Sequence, residues 1–286
     1  MALTGSAFAA TFGPKGLAAW EAAALALARE PDGLTPWPFA PLTLSDGAGN
    51  TAVIQVQTDD LAIGTLEDHL RLPLTPSAAQ NILNLRGWLL PTPWLVYQIW
   101  RASPAKLEPK GMVPNLGASM AQYAAHSALI DDQAAALGAG AGMLRAGMKK
   151  SVVVSNIAQP GKVLLFGWYR PPPAPDVFDD HLPMSAPNRQ PVQPKSNVHG
   201  AFYVDYSHGI RAVLGTCLLN GQPTNTVDLY QHPTLSHLVS NEGPVRLPRY
   251  PSAVPPSPTA ANLPQPILVA TTPGLAEQGI TIARRS

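Results

Sequence analysis

Apolar residues fall along this chain in two patterns that change over near Gly147. Before it, helical spacing dominates. Residues 16–30 are rich in Ala and Leu and stop at Pro31-Asp32-Gly33, which predicts a helix with a clear break. Thr75-Pro76 and Thr92-Pro93 each place a Thr to cap a helix whose first residue is Pro, predicting helices over Pro76–Arg86 and Pro93–Ala102. Another is predicted for residues 119–137, ending in Gly138-Ala139-Gly140-Ala141-Gly142. One hairpin interrupts the series. Leu42 and Leu44 alternate, Asp46 to Asn50 turns, and Val53 to Val56 returns, all within residues 41–57.

After Gly147 the runs shorten and become continuous. Ser151-Val152-Val153-Val154-Ser155 and Val163-Leu164-Leu165-Phe166, separated by Pro160-Gly161, predict a hairpin buried on both faces. A proline-rich loop occupies residues 171–195, a length that usually signals function or tethering. Strand character resumes at 202–206 and 210–219, one or two short helices fit within 226–240, and late strands fit at 267–270 and 280–283. Helices first and strands later predict an α+β fold: a helical N-terminal half packed on a mainly antiparallel sheet, with long proline-rich loops. The expected parts are residues 1–147, a β-rich part at 148–244 and a proline-rich arm at 245–286. A single domain stays open, because the hairpin in 41–57 can join the later sheet.

Composition narrows the picture. Of 286 residues, 45% are hydrophobic and only 13% charged, with 32 Pro, which suits a folded core with uncharged connections. A net charge of +1 argues against a nucleic-acid binder. No apolar run is long enough to span a membrane. The first twenty residues lack the basic start of a signal peptide, so synthesis in the cytoplasm is expected, with the final location (virion, released or cytoplasm) open. The single Cys217 sits in an apolar run and reads as an inert core thiol. The Gly138–Gly142 cluster has no preceding strand and no Walker lysine, so it reads as a hinge, and no nucleotide cofactor is expected.

Chemistry concentrates between Val198 and Arg211. His199, Asp205 and His208 are candidate ligands for one divalent metal, zinc foremost, because two imidazoles and a carboxylate leave a catalytic zinc one position for water. Asp205, Ser207, His208 and Arg211 are the candidate catalytic residues: an orienting acid, a nucleophile, a base and a carboxylate or oxyanion holder. On a regular strand His199, Tyr203, Asp205 and Ser207 share one face and His208 takes the other, unless Gly209 permits an irregularity. A Ser207–His208–Asp205 triad is disfavoured, since near neighbours on a strand do not face one another. Lys149, Lys150 and Trp168 are candidate substrate-binding residues, against solvated edge charges and a core anchor. Asp179-Asp180-His181 is a weaker metal candidate inside the loop.

Four segments carry a resemblance: Gly147-Met148-Lys149-Lys150-Ser151-Val152-Val153, Phe166-Gly167-Trp168-Tyr169, Pro191-Val192-Gln193-Pro194, and the window from Val204 to Arg211. Together they are similar to a family of uncharacterised bacterial and phage proteins with the motifs GHKKDVV, YGWH, IQP and VDYSHG(I/V)R, over roughly residues 59–244. The resemblance implies no activity. It marks three departures, because Met148, Ser151 and Tyr169 stand where the pattern has His, Asp and His.

Two functions are therefore expected. One is a metal-dependent hydrolase of amide bonds in a cell-envelope polymer such as peptidoglycan, its polymeric or peptide substrate bordered by the 171–195 loop. The other is a non-catalytic structural or interaction protein, a virion or assembly component, with self-association or a partner protein and a degenerate site.

Overall fold

A computed structural model describes residues 3–183 and 185–257, together with the backbone of 280–281. The fold is α+β. Two helices, α1 (Gly5–Phe12) and α2 (Leu17–Leu27), precede the hairpin β1 (Phe39–Ser45) and β2 (Thr51–Gln57). Asp46 closes that hairpin by accepting from the backbone of Ala48 (2.8 Å) and Asn50 (3.0 Å). Short strands β3 (Ala62–Gly64) and β4 (His69–Arg71) pair with each other. Then come α3 (Pro76–Arg86), β5 (Trp88–Leu89), α4 (Pro93–Ala102), β6 (Ala105–Lys106) and α5 (Met120–Ala136). The second half contains β7 (Arg145–Ala146), β8 (Lys150–Val152), β9 (Leu165–Gly167), β10 (Gln193–Ser196), β11 (His208–Gly209), β12 (Val213–Leu219), β13 (Gln222–Asn225) and α6 (Thr226–Tyr230).

Two sheets organise these elements. A six-stranded sheet runs β13-β12-β2-β1 and then β14 (Ile280–Thr281), with β5 also on β12. A four-stranded sheet runs β10-β9-β8-β11. Most pairings are antiparallel, but β11 lies parallel to β8, with His208 beside Lys150 and Gly209 beside Ser151. The early hairpin does join the later sheet, through β2 on β12. One cluster of buried apolar side chains runs from Phe8 to Val245, so residue 147 does not separate two cores. The expected strand at 267–270 lies outside the described residues, as does the end of the one at 280–283.

The helix starts follow the Thr-Pro rule. Thr75 Oγ1 accepts from Ala78 N and Thr92 Oγ1 from Leu95 N (3.1 Å), and both segments run over the predicted residues. The runs either side of Pro160-Gly161 pair as β8 and β9, and Val152, Val153, Val163 and Phe166 are each fully buried.

Two expectations need correction. The Gly138–Gly142 segment is pinned rather than hinged: Ala139 O accepts from Arg145 Nη2 and Ala141 O from Thr58 Oγ1, each at 2.8 Å. Residues 202–206 are not a strand. They form turns, because Gly200 and Asp205 offer local acceptors that compete with a ladder: Tyr203 N donates to Gly200 O and His208 N to Asp205 O.

Thr92 also donates its hydroxyl to Val239 O, tying α4 to the chain after α6. Thr92→Ala removes a cap and strands a buried carbonyl, so urea unfolding should show a loss of about 2 kcal/mol, with Thr92→Ser retaining most of it.

Candidate functional site

The window from Tyr203 to Arg211 folds as a turn that enters β11 and then leads toward β12. Asp205 is its organiser. Its Oδ1 accepts from Ser207 N (2.8 Å) and Ser207 Oγ (2.5 Å), and its Oδ2 from Tyr203 OH and Asn115 Nδ2 (both 2.9 Å). Burial alone would raise the carboxyl pKa, but adjacent His208 and the donors from Ser207 and Asn115 hold it well below the usual range. Ser207 therefore spends its hydroxyl on Asp205 and makes no nucleophile–base pair with His208.

His208 is 1% exposed, and neither ring nitrogen has a hydrogen-bond partner among the described residues. Its Nε2 lies 4.0 Å from Asp205 Oδ1, too far for a hydrogen bond. Burial pushes its pKa down to about 3, so the ring is neutral at ordinary pH. Asp205 and His208 thus sit side by side, which the turn achieves and a regular strand would not. His199 stands one ring further out. It stacks on Tyr203 (centroids 4.0 Å, 13° between planes), and Tyr203 lies 5.8 Å from the His208 ring. Among the described residues no three His, Cys, Asp or Glu side chains converge as a ready metal-ligand group.

The other candidates lie behind this turn. Lys149 is 4% exposed and donates to Tyr206 O at 2.5 Å, so its amine faces the interior rather than an incoming carboxylate. Burial pushes its pKa down to about 7. Arg211 aims inward too: Nη1 donates to Gln57 O and Nη2 to Arg145 O (2.9 Å each), while Nε lies 3.3 Å from Asp60 Oδ1. It clamps backbone instead of offering an oxyanion pocket. Asp60 is buried, and burial raises its pKa. Gly209 makes this packing possible: a Cβ there would lie 2.6 Å from Lys149 Cβ and 2.8 Å from Asp60 Oδ2.

A cavity of about 20 Å³, room for roughly one water, opens among Asp60, Lys149, Arg211, Ser151, Trp168 and Tyr169. Met148 also lines it. The three departures from the resemblance pattern, Met148, Ser151 and Tyr169, thus line a single hollow. Trp168 adopts a left-handed backbone (φ 61°) and donates Nε1 to Met148 O, and Lys150 Nζ rests 4.8 Å from its ring centroid. Of the expected substrate-binding residues, Lys150 and Trp168 are the two that keep partial exposure.

The 171–195 loop is fastened to α4. Tyr97 OH donates to Asp176 (2.9 Å), Tyr169 OH to Phe178 O (2.6 Å), and Phe178 packs on Trp94 and Tyr97. Within it, Asp179 pairs with Arg189 at 3.0 Å and Asp180 accepts from Gln190 N, while the His181 side chain is 86% exposed. The two aspartates brace the loop, and His181 faces solvent. Cys217 is buried, and burial pushes its thiol up to about 11, which suits an inert side chain.

Sequence reasoning missed Asn115 and Asp60. Asn115 lies ninety residues from Asp205 with no motif around it. Asp60 carried a signal: Asp59-Asp60 follows the apolar strand β2 with no Gly or Pro to mark a solvated turn.

No helix among the described residues is long and apolar enough to cross a membrane. No protein-family model, curated protein or solved structure matches the chain.

The buried imidazole gives a pH prediction. Its folded pKa lies below the unfolded value of about 6.5, so the unfolded chain takes up one more proton between about pH 6.5 and 3. Stability is therefore lost as pH falls through that window, by about 1.4 kcal/mol per unit from this group. His208→Gln should flatten the acid limb of a stability–pH curve by that slope, leaving the similar contribution of His126, whose pKa burial also lowers to about 3.

Proposed function

We propose that the chain is a metal-dependent hydrolase of amide bonds in a cell-envelope polymer such as peptidoglycan, centred on His208 and Asp205. The observation that carries this reading is the state of His208: buried, neutral, without a hydrogen-bond partner on either nitrogen among the described residues, and 4.0 Å from a carboxylate. An interior polar group left unpaired costs about 1–3 kcal/mol, so a fold that keeps one suggests a ligand. A neutral imidazole beside a carboxylate is a donor set that zinc takes. His199 is the third donor in this reading, reaching the pair when its ring leaves the face of Tyr203. A bound divalent ion would supply a polarised carbonyl and a more acidic water. Lys150, at the partly exposed edge on Trp168, offers a cation to a substrate carboxylate.

A second reading, a non-catalytic interaction or assembly protein, is favoured by two observations. The cavity holds Met148, Ser151 and Tyr169 where the pattern has two imidazoles and a carboxylate. In addition, the loops joined by Asn115 and Tyr203 (3.2 Å) expose Val113, Leu116, Val198 and Phe202, the last by 90%. Exposed apolar residues gathered on neighbouring loops suit a protein contact.

Elemental analysis and release of dye from labelled peptidoglycan separate the two. The hydrolase should carry about one divalent ion per chain, and His208→Ala should lower both metal retention and rate by at least about 100-fold. A metal-free protein that is inert on the polymer and oligomeric by light scattering would establish the second reading instead.

A further inference from the structure

We infer that Lys149 is a positioning residue for His208: its buried amine, beside Asp60 and under Gly209, holds the turn that sets the imidazole against Asp205. The inference rests on the reading of His208 and Asp205 as the centre, and adds the group that fixes their separation.

Three carbonyls define the turn, and each is taken by a different donor. Asp205 O accepts from His208 N (3.2 Å), Tyr206 O from Lys149 Nζ (2.5 Å), and Ser207 O from Lys150 N (2.8 Å). Consecutive residues of the strand entry, 149 and 150, thus grip consecutive carbonyls, one by side chain and one by backbone. The parallel register of β11 on β8 follows, with His208 beside Lys150. Lys149 and Asp60 reach their positions only because residue 209 has no side chain.

Asp60 beside it offsets part of the cost of burying the amine. An apolar residue at 149 would fill the space and leave Arg211 as the cation facing Asp60. What it would lack is a hold on Tyr206 O, two residues before His208.

The test compares the full-length chain with Lys149→Met, Lys149→Arg and Gly209→Ala. Zinc affinity is read by chelator competition, and the His208 ring carbon–proton signal by NMR of the metal-free protein. Lys149→Met should weaken zinc binding about 10- to 100-fold, the range for groups that orient a ligand, and should shift or split the His208 signal. Lys149→Arg, which keeps a donor, should recover part of both. A folded Lys149→Met protein with unchanged zinc affinity and an unchanged His208 signal overturns the inference. If the parent chain binds no zinc, the metal reading falls, and the His208 signal alone decides the positioning role. If Lys149→Met does not fold, Gly209→Ala decides by the same readouts, since its Cβ displaces the lysine.

Discussion

Asp59 and Asp60 enter the protein interior directly after β2, and the surrounding architecture is arranged to pair them. Asp59 receives Arg71 Nε and Nη2 (2.9 and 2.7 Å) and Arg145 Nη1 (3.0 Å), and Arg71 also holds Asp131 on α5. Asp60 faces Arg211 and stands under Gly209 with Lys149. A buried carboxylate without such partners would be several kcal/mol too costly to keep. The network therefore dictates where β4, β7, α5 and the residues after β11 must lie. The two halves of the chain are joined by these charges as well as by the β2–β12 pairing.

That constraint also creates the candidate site. Arg211 and Lys149, drawn in by Asp60, fix the two ends of the segment between Asp205 and Ile210. Asp205 then closes the turn locally, and His208 is carried into the interior with no hydrogen-bond partner among the described residues. The network carries a cavity the size of one water among its charges. The imidazole instead lies beside Asp205, with the stacked rings of Tyr203 and His199 next to it. The proposed chemistry belongs to the imidazole and Asp205, and the structural role to the network.

The site was only partly legible in the sequence. The window from Val198 to Arg211 was visible because its polar residues are dense and of useful kinds. Its geometry was not, because a run such as Tyr203-Val204-Asp205-Tyr206 satisfies strand alternation and turn chemistry alike. Asp205 settles the choice by accepting from Ser207 N, a local bond that a ladder cannot offer. From sequence, Lys149 reads as a solvated edge charge or a substrate contact and Arg211 as a carboxylate or oxyanion holder, because cations usually meet solvent or ligand. Nothing beside them in sequence reveals Asp60, 89 residues before one and 151 before the other. Asn115 meets Asp205 only because the loop before α5 is folded back over the turn.

The sequence by itself determined the local elements: the Thr-capped, Pro-started helices, the Asp46 hairpin, the valine-rich pair β8 and β9, and the inert character of Cys217. Each follows from bonds or packing patterns within a few residues, where the physics is short-ranged. Tertiary structure alone decided that β2 pairs with β12, that the glycine-rich stretch after α5 is tied down, and that Lys149 and Arg211 are interior clamps. Those outcomes depend on which charges meet when distant segments are buried together. That energy is set by partners across the fold rather than by neighbours along the chain.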